Sequence, residues 1–137
     1  MQLTSSASLD WIPVVQDLFL EHAPPARIAA WLDGTVSTHG GYIVVRGMGA
    51  IDGFDATLLV RNGQATSLSV WYRELEKPAL AAAEKILGRA TARAGHLFEL
   101  VFADAARIID ERRVLAVTCS ADASLERRLV GISLNVV

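Results

Sequence analysis

A chain of 137 residues with 52% hydrophobic and 20% charged side chains has the size of one domain and enough apolar content to bury a core, which excludes an intrinsically disordered segment. Its formal net charge of −2, with both signs spread along the chain, excludes the broad positive field that attracts nucleic acid or an anionic membrane. The single cysteine, Cys119, excludes an intrachain disulfide framework and suits a reducing compartment, so a cytoplasmic location is expected.

The N-terminal stretch lacks a basic start, and Asp10, Gln16 and Asp17 interrupt its apolar run. No signal peptide is expected there, and no segment is long enough to span a bilayer. From Asp10 onward Trp11, Val14, Val15, Leu18 and Phe19 fall at the i, i+3, i+4, i+7, i+8 spacing of one helix face. Ser8 or Asp10 is the expected cap, and Pro24 and Pro25 stop the helix after His22. Pro25 then opens a second helix with Ile28, Trp31 and Leu32 on one side, closing at Gly34. The segment from Thr35 to Gly41 is expected to be a loop.

Three strands are predicted next, at 42–51, 54–61 and 64–73, joined by Asp52–Gly53 and Asn62–Gly63. Both dipeptides supply the positive φ angles of two-residue hairpin turns. With two such turns, Val45, Gly47, Gly49, Ile51, Phe54, Ala56, Leu58, Val60, Ala65, Ser67, Ser69 and Trp71 share one face, which carries no charge and is the predicted core. The opposite face receives Val44, Arg46, Met48, Asp55, Thr57, Leu59, Arg61, Gln64, Thr66, Leu68, Val70 and Tyr72.

Pro78 opens a third helix through Leu80, Ala83, Leu87 and Ala90, ended early by Gly88 or carried on to Gly95. Strands are predicted at 96–102, 114–121 and 129–137 from their Val, Leu, Ile and Phe content. The stretch from Ala103 to Arg113, where Ile108 and Ile109 are adjacent and satisfy neither period, is open to a helical turn or a further short strand. The expected fold is a single α+β domain over residues 1–137: two N-terminal helices, a three-stranded antiparallel meander, one helix and about three further strands. Together they complete an antiparallel or mixed sheet with helices on one side.

Motifs for nucleophilic, phosphate-binding and zinc chemistry are absent, so no catalytic residue, cofactor or metal is expected. In Gly47-Met-Gly49-Ala-Ile-Asp-Gly53 the third glycine falls one residue late for a dinucleotide loop, and a strand rather than a helix follows. His39-Gly40-Gly41 has the glycines of an oxyanion loop without a serine to accompany it, and serves as a turn before Tyr42. His22, His39 and His96 lie on different elements.

Arg46, Asp55, Arg61, Leu68, Val70 and Tyr72 interleave charge, aliphatic groups and an aromatic ring, the mixture of a protein-recognition surface. The expected function is a non-enzymatic protein-binding domain of the small bacterial immunity-protein or secretion-chaperone type, with another protein as partner and neither nucleic acid nor membrane. If a helix covers that face, the same residues are core with a polar margin. The alternative is a small-molecule-binding domain or small enzyme with a pocket between helices and sheet, His39 and Trp71 near its mouth, and Gly47 and Gly49 making room for the ligand. A third expectation is a homodimer through the alternating strand Val130, Ile132, Leu134, Val136.

Overall fold

The structure, a computed structural model, describes residues 8–39, 42–47, 55–93 and 96–137. Helix α1 spans Trp11–Leu20, and Trp11, Ile12, Val15, Leu18 and Phe19 are its buried apolar residues. Ile12 takes the inward place expected of Val14, which is 43% exposed. The helix closes as a Schellman motif: Ala23 N–H donates to the Leu18 carbonyl at 3.0 Å and His22 N–H to that of Phe19 at 3.1 Å. His22 therefore occupies the left-handed closing position, at φ 55°, where glycine is the usual residue.

Helix α2 spans Pro25–Leu32 with proline at its start, where a missing N–H costs nothing. It closes on Asp33 in the left-handed region, one residue before the expected Gly34. Helix α3 spans Leu80–Leu87, two residues beyond Pro78, because the segment before it is stitched to another strand. Leu129 N–H donates to the Pro78 carbonyl and Leu80 N–H to that of Arg127, both at 2.8 Å. Gly88, at φ 87°, ends α3.

The strands are β1 Thr35–His39, β2 Tyr42–Gly47, β3 Asp55–Arg61, β4 Gln64–Trp71, β5 Ala90–Arg93, β6 His96–Phe102, β7 Arg107–Ile108, β8 Val114–Ala121 and β9 Leu129–Val136. They form one nine-stranded sheet in the order β1-β2-β3-β4-β9-β8-β6-β5, with β7 beside β8. Every pairing is antiparallel. Of the loop expected over 35–41, residues 35–39 are corrected to a fourth meander strand, since Thr35, Val36 and Thr38 favour extended backbone, and residues 40–41 lie outside the described residues. Ala103–Ala105 is a 3-10 turn that breaks the edge between β6 and β7, and the Gln16 side-chain amide pins α1 to it through the Ala105 carbonyl at 3.1 Å. The expected Asp52–Gly53 turn lies outside the described residues. Strand β9 is hydrogen-bonded to β4 on one side and β8 on the other, so its alternation serves the sheet interior and leaves no edge for a dimer.

One hydrophobic cluster joins the three helices to one face of the sheet. Ala56, Leu58 and Val60 of β3, Leu115, Val117 and Cys119 of β8, and Ile132 and Leu134 of β9 are buried there. Asn62 and Gly63 form the predicted hairpin turn, at φ 53° and 77°. Immediately after it the expected register fails. Val60 pairs with Ala65 but Leu59 pairs with Ser67, so Thr66 is an extra residue in β4, and its hydroxyl donates to the Leu59 carbonyl at 3.2 Å.

This bulge turns over every side chain beyond it. Leu68 and Val70, both 0% exposed, and Tyr72 at 7% enter the core, whereas Ser67, Ser69 and Trp71 fall on the opposite face by register. Burying each aliphatic side chain is worth roughly 1.5–3 kcal/mol, against a disturbed ladder hydrogen bond of about 1 kcal/mol. The bulged register wins.

Candidate functional site

The second face of the sheet carries no helix among the described residues. By register its residues fall in cross-strand rows. One row runs Arg46, Thr57, Ser69, Ser133, Thr118, Val101. A second runs Leu59, Ser67, Asn135, Ala116, and a third Asp55, Trp71, Gly131, Ser120, Glu99. The Ser69 and Ser133 hydroxyls are hydrogen-bonded to each other at 3.0 Å. Hydroxyls and the Asn135 amide thus fill the middle of the face, where a helix-covered sheet would present aliphatic groups.

A shallow trough of about 760 Å³ follows the second row and the Thr118–Val101 end of the first, with Arg61 on β3 and Arg93 on β5 also in its lining. Arg93 faces Glu99 across 3.8 Å, both more than 40% exposed, and an exposed pair of this kind adds little to stability. Trp71 is 50% exposed and lies against the bare backbone of Gly131. The face presents donors, acceptors, one aromatic plate and both charge signs, which is equipment for binding.

Asp55 and Arg61 sit, as expected, at the two ends of β3 on this face, both exposed. Arg46 stands opposite Thr57 in the same rows. Leu68, Val70 and Tyr72 are corrected: the bulge puts them in the core, where they cannot touch a partner. Burial drives the Tyr72 phenol well above its ordinary pKa, and the Trp11 indole beside it pulls the other way.

The alternative site does not assemble as expected. Trp71 belongs to the second face rather than to the helix side, and it pairs with Asp55 at one end of β3. His39 pairs with Tyr42, which in turn faces Arg61 at the other end. Gly47 lies opposite Ala56, and Gly49 lies outside the described residues. Sequence reasoning missed Ser67, Ser69, Ser133 and Gly131 as members of the site. The alternation of Ser67 and Ser69 with Leu68 and Val70 was the available signal.

Cys119 points into the core, and burial pushes its thiol up to about 12. Among the described residues no three His, Cys, Asp or Glu side chains gather as a metal ion would need. No helix among them is long and apolar enough to cross a membrane. Comparison of the chain with protein-family models, with curated proteins and with solved structures finds no match.

Proposed function

We propose that this chain is a non-enzymatic protein-binding domain and that the uncovered sheet face is its contact surface. The observation that carries the reading is the asymmetry of the sheet: the three helices join one face in a single core, while the other keeps a half-exposed Trp71 between Asp55 and Gly131. An aromatic ring held against backbone has little freedom to lose on binding, which favours it as an anchor. Asp55, Arg61, Arg93 and Glu99 surround a centre of hydroxyls, so the fitting partner is a protein surface that offers both charge signs and hydrogen-bonding groups. The size of the domain and its lack of catalytic motifs fit a small neutralising or carrier protein. Its lone buried thiol suits the cytoplasm.

The test is capture of partners by the immobilised chain, run beside Trp71→Ala/Arg61→Glu and beside Ile86→Ser, a control on the exposed side of α3. A stoichiometric protein held by the wild type and the control but lost by the double variant is the expected result. Retention by the double variant, or no protein held by the wild type, would sink the proposal.

A further inference from the structure

On the helix side a separate cavity of about 290 Å³ opens between the α1–α2 corner and the end of the sheet. Its apolar lining includes Phe19, Ala65, Ile109 and Val136. The last three pack against the core yet stay only partly buried, so apolar surface remains open to water that an occupant would cover. The volume holds on the order of ten non-hydrogen atoms, taking about 30 Å³ for each water-sized group.

One wall is polar and rigid. The Arg113 guanidinium is gripped by Asp110, at 2.8 Å from Nε and 2.7 Å from Nη2, while Nη1 donates to Gln64 Oε1 at 2.9 Å. Asp110 is itself fixed by the backbone N–H groups of Arg112 and Arg113 at 2.9 and 3.0 Å. These contacts use one N–H on each nitrogen, so each terminal nitrogen keeps one further N–H to donate to a carboxylate. His22 also lines the cavity. It sits there at the left-handed closing position of α1, φ 55°, which glycine would adopt at lower cost.

We propose that this cavity binds a small organic acid, its apolar body against Phe19, Ala65 and Val136 and its carboxylate between Arg113 and His22. The cavity shares Val136 with the trough on the sheet face, but the proposal does not rest on binding at that face. Straight-chain carboxylates from butanoate to octanoate are the probes, titrated into the full chain and followed by the NMR signals of Phe19, Ala65 and Val136, with hexan-1-ol as the neutral control.

At least one acid of the series is expected to shift those signals saturably and to bind at least about tenfold more tightly than hexan-1-ol. Arg113→Lys, which keeps the charge and loses the fork, is expected to weaken the acid about tenfold. His22→Gly relieves the backbone strain, so it is expected to melt higher while binding the acid more weakly, which separates lost binding from lost folding. Absence of saturable shifts across the series, equal binding of hexan-1-ol, or an affinity unchanged in both variants would overturn the assignment.

Discussion

Trp71 lies so close to Gly131 that a β-carbon on the glycine would come 2.7 Å from indole Cε3 and 2.9 Å from the Val70 carbonyl oxygen. The indole can swing away, but the carbonyl belongs to a paired strand and cannot. Gly131→Ala is therefore expected to lift the ring off the sheet and to cost about 1–3 kcal/mol. Urea unfolding gives the stability, and acrylamide quenching reports the ring, since Trp11 is buried and Trp31 partly so. Wild-type values for both would show that the glycine does not seat the ring.

The bulge at Thr66 makes neighbouring residues of β4 respond oppositely to the same substitution. Val70→Asp sets an unpaired charge in the core and is expected to unfold the domain. Ser69→Asp points to the uncovered face and should leave the circular dichroism spectrum intact and stability within about 1 kcal/mol of wild type. The reverse pattern would restore the unbulged register.

Much of this architecture was legible because burial on one side imposes a period. Leu129–Val136 is found where the alternation of Val130, Ile132, Leu134 and Val136 predicts it, and the helices start and stop near their prolines and glycines. Thr35–His39 was not legible as a strand: the described side chains of this edge are all exposed, so no apolar alternation marks it. The Asn62–Gly63 turn was identified correctly, but the register counted from it failed at Thr66. The rule for the turn is local, whereas the bulge answers to which of Leu68 or Ser67 the core accepts. Asp55 and Arg61 could be assigned outward from β3 alone. The seat of Trp71 on Gly131 could not, because it depends on the order of strands that are distant in sequence.

Asp122 organises the turn between β8 and β9. It accepts hydrogen bonds from the Ser124 hydroxyl, from the N–H groups of Ser124 and Arg128 at 3.1 and 2.9 Å, and from Lys77 Nζ at 3.4 Å. The Ser124 hydroxyl first, then the two N–H groups and Lys77, hold its carboxyl well below the usual range. A carboxylate with a depressed folded pKa contributes stability that is complete above its unfolded pKa of about 3.9 and is lost as pH falls through the folded one. Asp122→Ala is expected to cost roughly 1–3 kcal/mol at neutral pH, with the gap to wild type narrowing below about pH 4. Denaturation across that range checks it, and a constant gap would contradict the account.

Cys119 is 4% exposed with its pKa pushed up to about 12 by burial, so little thiolate exists near pH 8 and reagents lack access. Ellman's reagent is expected to label it only through unfolding, with a rate that climbs with urea as the unfolded fraction does. Rapid labelling without denaturant would place the thiol at the surface.

The position of β9 between β4 and β8 also governs the order in which the molecule can be assembled. The strand is made after every other described strand, yet it is the one that joins the meander to β8, β6 and β5. Without Leu129–Val136 the remaining pairings divide into two sets, β1 to β4 and β5 to β8, and β4 and β8 would each present a bare edge toward the vacant slot. Closing that slot brings together residues far apart in sequence, which makes the final step slow relative to hairpin formation. During that interval the unfilled edges are the most adhesive part of the chain, and a helper that shields growing polypeptides would find its substrate there.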